Sequence, residues 1–408
     1  MVYREEFNLL STNEDKLKNT QLVKPRYLVI QPKSKNVFEN EWNDCLLQIK
    51  KLINNNKKVF RINVFIEISD SDNFTEKSET IDCSLKKEFK SQAPPISLIM
   101  EEPCENYSII CEIGYVDSPD IEISYGIFGD ISYSLIDTGF YKEYWIIGAN
   151  AVNNKSNIAA LSQKAFIKLK TTYEHLGISF NQIARQWNYV GNIVDKRILQ
   201  GKERQHYQMF NEARSEFYKK FRNLDYFPAA TGIGMSHNGV CIDTLALQCT
   251  EKNLKLIPIS NPAQQESYKY DQNILIGDPG CNRNENQAPQ FERAMMVVLN
   301  HSARVYISGT ASIIGQETVG IDDVKKQTLV TIENIDRLVS AKNLKNHYPA
   351  LQSIPNTYSY VRVYIKKRSY LAAVKEICSK KYGNVATTYV VADICRDNLL
   401  VEIEAELN

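Results

Sequence analysis

The stretch Arg304-Val-Tyr-Ile-Ser-Gly-Thr-Ala-Ser-Ile-Ile-Gly315 decides the fold, because everything after it reads as one continuous order of elements. It is an apolar, β-branched run ending in small residues, as a buried strand does. Asp322 to Leu344 then reads as a helix, with Val324, Thr328, Ile332, Ile335 and Val339 as its core stripe. Tyr358 to Lys366 reads as a strand and Ser369 to Tyr382 as a helix. Thr387–Ile394 and Leu399–Ala405 close the order as strands. In the last of them Val401, Ile403 and Ala405 alternate with Glu402, Glu404 and Glu406. That pattern predicts a half-buried strand with its glutamates in water.

A similar order precedes it twice. Arg26–Gln31 reads as a strand, Asn40–Asn55 as a helix, Lys58–Ser69 as a strand and Thr80–Ser91 as a second helix. Strands around Ile96–Met100 and Tyr107–Val116 follow. In the middle, Glu143–Asn150 is a strand, Asn157–Leu176 a helix, Gln182–Val190 a strand and Glu203–Phe221 a helix. The expected fold class is therefore α/β, with mixed β-sheets backed by helices and an internal pseudo-symmetry. Asp225 to Asn238 contains Pro228, Gly232 and Gly234 and reads as a hinge. It sets the expected domains at 1–225 and 226–408, with the site at their interface. Pro262 to Pro289, rich in Asn, Gln, Gly and Pro, reads as a long surface loop of the kind that carries function.

Composition narrows the function. In 408 residues, 49 Lys+Arg face 48 Asp+Glu, a net charge of +1 that argues against nucleic-acid binding through bulk charge. A hydrophobic share of 43% rules out a mostly disordered chain. No apolar run has membrane-spanning length, so no membrane partner is expected. Met1-Val-Tyr-Arg-Glu-Glu-Phe7 shows no basic region followed by an apolar one, so no secretory leader is read. The nine cysteines are odd in number and form no C-x-x-C, which predicts reduced thiols and a cytoplasmic protein. The five histidines form neither H-x-x-x-H nor H-E-x-x-H, so neither metal nor other cofactor is expected.

Four stretches could carry chemistry. Phe227-Pro-Ala-Ala-Thr-Gly-Ile-Gly can turn its amides towards an anion or be a plain inter-domain turn. Arg293, in Pro289-Gln-Phe-Glu-Arg-Ala, enters a strand from the long loop; its fork suits a carboxylate, or it pairs with Glu292 at the surface. Glu317 follows the small-residue strand end; burial there would hold its proton, whereas in an exposed loop it would do nothing. Tyr207 and Arg214 are seven apart in one helix and share a face, which is a binding face or a polar stripe on a core helix. Arg185, in Arg-Gln-Trp-Asn-Tyr, adds a cation in the preceding strand.

Taken together and in order, these stretches resemble the chorismatases. That family includes hydrolases making starter units for macrolide immunosuppressants and synthases making hydroxybenzoates. The resemblance spans roughly residues 140 to 345. The C-terminal half also resembles the RidA/YjgF fold. The resemblance implies chorismate as small-molecule substrate and Glu317 as the acid that protonates its enolpyruvyl methylene. It implies Arg214, Arg293 and Arg185 as carboxylate partners and Tyr207 as a hydroxyl contact. The family's usual His before the acid is Gln316 here, a neutral amide that can donate but cannot shuttle a proton. Hydroxybenzoate-forming members carry a Cys seven residues before the acid; counted from Glu317 that position is Thr310, which leans towards hydrolysis to a diene diol. Likeness to RidA leaves two rival readings, an imine-hydrolysing or non-catalytic binder and a structural protein of degenerate repeats. Pseudo-symmetry within one chain predicts a monomer where RidA proteins assemble as trimers.

Overall fold

The computed structural model describes residues 20–408 except 154, 250–252 and 281–282. The leader reading at residues 1–7 and Cys281 lie outside the described residues. The chain repeats one arrangement three times. The first unit runs β1 (Arg26–Ile30), α1 (Phe38–Asn54), β2 (Lys58–Ile66), α2 (Ser71–Phe89), β3 (Ile96–Ile99), the short β4 (Glu102–Pro103) and β5 (Ile109–Val116). The second runs β6 (Glu122–Phe128), β7 (Ile131–Asp137), β8 (Tyr141–Val152), α3 (Ile158–Leu176) and β9 (Ile183–Gly191). It continues through the ribbon β10 (Lys196–Leu199) and β11 (Lys202–Gln205) into α4 (His206–Phe221), β12 (Ala229–Met235) and β13 (Gly239–Cys249). The third opens with β14 (Leu254–Ile259), β15 (Ala294–Leu299), β16 (Ser302–Ala311) and a hairpin of β17 (Ile313–Ile314) and β18 (Glu317–Thr318). It then runs α5 (Val324–Leu338), α6 (Ala341–His347), β19 (Tyr358–Ile365), α7 (Leu371–Tyr382), β20 (Ala386–Val391) and β21 (Val401–Leu407).

Each unit lays its strands in the same order: β1-β5-β2-β3, then β8-β13-β9-β12, then β16-β21-β19-β20. In each set of four, the last strand in sequence inserts antiparallel between the first two, and the last helix of the unit carries a crossover to a parallel neighbour. Helices cover the outer faces: Trp42 and Ile81 pack on the first sheet, Leu161 and Phe210 on the second, and Ile335 and Val374 on the third. The inner faces meet in one shared core holding Phe60, Trp145, Trp187, Tyr306 and Tyr360. No helix among the described residues is long and apolar enough to cross a membrane.

The α/β class with mixed, helix-backed sheets and internal pseudo-symmetry is what the structure has. The expected hinge is not. Residues 229–235 form β12, a buried strand paired in parallel with β9, so a boundary at 225/226 cuts through the second unit. Its glycines serve close packing: a Cβ on Gly232 would sit 3.0 Å from the Tyr207 ring. The final strand also departs from expectation. Glu402, Glu404 and Glu406 are 4%, 0% and 0% exposed, because the face they share looks into the shared core and not into water.

That inner face is polar by design of the repeat. β2, β9 and β19 each send one buried arginine inwards: Arg61, Arg185 and Arg362. Arg362 and Arg61 bond Glu112, at 2.6 and 3.1 Å, while Arg185 and Arg362 bond Glu404, at 2.8 and 2.9 Å. Removing one partner of such a pair strands a buried charge, so these contacts lock the units in register.

Candidate active site

The repeat itself points to the acid. Arg61, Arg185 and Arg362 lie opposite Gly114, Leu245 and Glu404 in the neighbouring strand. Two residues along the same face, the three units place Glu112, Asp243 and Glu402 opposite Asn63, Trp187 and Tyr364. Glu112 is bonded by Arg61, Arg362 and Thr388. Asp243 accepts from the Gly148 amide (2.7 Å), Ser97 (3.1 Å) and Asn63 (3.3 Å). No donor among the described residues bonds the Glu402 carboxyl, which instead faces a pocket.

The pocket lies where the second unit meets the third. There β12 is stitched to β16: the Ala230 amide donates to Ser308 Oγ (2.9 Å) and the Gly309 amide to Thr231 Oγ1 (3.0 Å). Gly309 leaves room for the acid, since a Cβ there would lie 1.9 Å from Glu402 Oε1. Tyr207 and Asn211 from α4, Tyr270 and Phe291 from the long loop, and Cys395 and Arg396 before β21 complete the wall. Burial pushes the Glu402 carboxyl up to about 8. The charge of Glu404 adds to this rise, and Arg185 and Arg293 oppose it without overcoming it. Burial likewise raises the Cys395 thiol to about 12, so it stays neutral near pH 7.

Arg293 belongs to this wall and is only 3% exposed. It donates to Tyr270 Oη (2.7 Å) and to the Gln265 carbonyl, its Nε has no partner, and it makes no surface pair with Glu292. Glu292 instead accepts from the Phe227 amide (3.0 Å), with burial raising its carboxyl to about 7. Arg396 donates to the Gln316 carbonyl (2.7 Å) and lies 5.1 Å from the Tyr270 ring. Neither arginine has a carboxylate within 4.0 Å among the described residues. Two buried-edge cations without counter-ions, beside a protonated acid, suit a dianionic substrate.

The remaining expected residues fall in different places. Tyr207 lines the pocket, and burial raises its phenol. Arg214 sits behind the wall, donating to Asn211 Oδ1 (2.7 Å). Arg185 is a core residue, held by Glu404 and by Thr231 (2.6 Å), and does not line the pocket. Thr310 points away from the pocket and donates to the Ser308 carbonyl (2.9 Å), because a register shift between Ile307 and Thr310 turns Gly309 and Ala311 inwards instead. Gln316 pins the long loop through Asp271, which donates its amide back to Gln316 Oε1 (3.0 Å). Glu317 is exposed on the β17–β18 hairpin and outside the pocket wall. The chain leaves the sheet after Ala311, so the burial expected for Glu317 does not arise.

Sequence reasoning missed Glu402, Cys395 and Arg396. A signal existed: Cys395 stands seven residues before Glu402, the spacing that the resemblance supplies for hydroxybenzoate-forming members. Counting from Glu317 hid it.

The family model described as chorismatase FkbO/Hyg5-like, N-terminal, matches residues 136–246, which hold β8, β9, α4, β12 and most of β13. A 3-hydroxybenzoate synthase from Streptomyces hygroscopicus is 30% identical over 249 residues, covering 60% of this chain and 68% of that protein. A crystal structure of a chorismatase superposes with a TM-score of 0.67 at 21% identity, covering 96% of this chain and 100% of the other, which shows a shared fold. A YjgF/YER057c/UK114 family member from Mycobacterium tuberculosis matches 29% of this chain and 85% of its own at 22% identity, with a TM-score of 0.22. By the extent and identity of its match to the synthase, the chain belongs to the chorismatase family.

Proposed function

We propose that the protein removes the enolpyruvyl side chain of chorismate, with Glu402 as the proton donor. The observation that carries this is a buried carboxyl, raised to about 8, in one wall with two arginines, where the described residues supply neither a hydrogen-bond donor to the carboxyl nor a counter-ion to the arginines. Near pH 7 Glu402 holds a proton and gives it to the methylene carbon of the enol ether. Water adds to the resulting oxocarbenium ion, and the hemiketal collapses to pyruvate and a dihydroxycyclohexadiene carboxylate. Arg293 and Arg396 hold the two carboxylates, with Tyr207 as a hydroxyl contact; Arg214 supports the site by orienting Asn211.

A second reading of the product rests on Cys395. Counted from Glu402, the position that carries Cys in hydroxybenzoate-forming relatives is Cys395, in the pocket wall. Chromatography of the reaction with chorismate separates the two. A diene diol supports hydrolysis, and a hydroxybenzoate supports aromatisation. Replacing Cys395 with Ala is expected to lower the hydroxybenzoate share while pyruvate release continues; an unchanged product ratio would show that Cys395 does not direct the product.

Two further outcomes follow from Glu402. A general acid works only while protonated, so kcat/KM for pyruvate release should fall as pH rises through about 8, approaching tenfold per unit beyond it. A pH–rate profile checks this. Gly309→Ala should displace the carboxyl, since the new Cβ would clash with Oε1. A shift near 1 Å costs about 10²-fold in rate, so kcat should drop by about that factor while the melting temperature changes little.

A further inference from the structure

Glu404 is the acid that the repeat does not explain. Its register position holds Gly114 in the first unit and Leu245 in the second, so only β21 carries an acid at this position. It is 0% exposed and held from several sides. Arg185 and Arg362 approach within 2.8 and 2.9 Å, Trp187 Nε1 donates at 2.9 Å, and the Thr231 hydroxyl donates as well. Thr231 also accepts the Gly309 amide, which ties this cluster to the wall beneath Glu402.

We propose that Glu404 is a positioning residue for the reaction: its fixed charge, two residues from Glu402 on one strand face, keeps the Glu402 proton in place until the enol ether arrives. The proposal rests on the reading of Glu402 as proton donor. Same-face neighbours on a strand are about 7 Å apart, and a like charge at that range in a protein interior shifts titration by on the order of one pH unit. The Arg and Trp contacts hold Glu404 ionised, so the charge persists where Glu402 titrates. Arg185 from β9 and Arg293 before β15 act on Glu402 in the opposite sense. Tyr207 from α4 and Cys395 from the preceding loop also face it, and Glu101 between β3 and β4 feels its charge.

The test is the pH dependence of kcat/KM for pyruvate release in Glu404→Gln, Glu404→Asp and Arg185→Gln. Removing the charge should move the upper limb of Glu404→Gln to lower pH by on the order of one unit. Glu404→Asp keeps the charge and should hold the limb near that of the native enzyme. Arg185→Gln removes an opposing cation and should move it to higher pH. Where Glu404→Gln does not fold alone, the paired variant Glu404→Gln/Arg185→Gln, compared with Arg185→Gln, reads the same charge without stranding its partner. Unmoved limbs in the folded variants would overturn the role of Glu404 while leaving Glu402 as acid. Near-native activity in Glu402→Gln would instead overturn the reading beneath it.

Discussion

Glu402→Gln should abolish most pyruvate release from chorismate while leaving the fold and substrate binding intact. The amide keeps the shape and size of the side chain but has no acidic proton. General acid catalysis contributes roughly 10² to 10⁴ in rate, so kcat should fall within that range. Binding should survive, because Arg293 and Arg396 in the pocket wall, the proposed carboxylate partners, are unchanged. The uncharged amide also removes a buried ionisable group, so the variant should be no less stable than the native protein. Glu317→Gln is the control: this side chain is exposed on a small hairpin and should turn over chorismate at the native rate. Steady-state kinetics with a thermal melt of each variant reads both. Native-like turnover by Glu402→Gln, or a collapse of activity in Glu317→Gln, would return the role to the hairpin.

Arg293→Lys should lower kcat/KM by about 10- to 100-fold. Lysine keeps the charge but loses the planar fork that meets a carboxylate at two points. Charge-assisted bonds of this kind are worth about 1.5–3 kcal/mol, and losing one accounts for that range. The guanidinium is also pre-set by Tyr270 and by the Gln265 carbonyl, and it stacks near Phe291, 5.4 Å from its ring. An ammonium cannot keep all of these contacts and still reach the substrate. Arg396→Lys should act in the same direction. If Arg293→Lys leaves kcat/KM unchanged, Arg293 is a structural tie between the long loop and the sheet.

Much of the layout was legible in the sequence, because periodicity reports local burial well. The stripe of Val324, Thr328, Ile332 and Ile335 predicts α5, although the single helix read over Asp322–Leu344 breaks at Ser340 into α5 and α6, and the helix read over Asn157–Leu176 is α3. Two readings failed for a common reason. Pro228, Gly232 and Gly234 look like a hinge, yet here small residues let β12 approach Tyr207 and the neighbouring unit. Alternating Val401–Glu402–Ile403–Glu404 looks like a strand with one wet face, yet that face looks into a core lined by arginines. Alternation distinguishes two faces but does not say what lies across from the polar one. In this chain the answer depends on Arg185 from another unit, more than two hundred positions away in sequence, so local reasoning has no access to it. The same limit explains why Glu402 was passed over. Arg293 and Tyr207, singled out because their types fit the chemistry, line the pocket, whereas Glu317 and Glu402 differ only in what surrounds them.

The most direct test of the account is the stoichiometry of pyruvate formed from chorismate by the purified protein, measured enzymatically as chorismate is consumed. The account predicts one pyruvate for each chorismate lost, at a rate that declines above about pH 8. Chorismate left intact, or consumed without pyruvate, would contradict it.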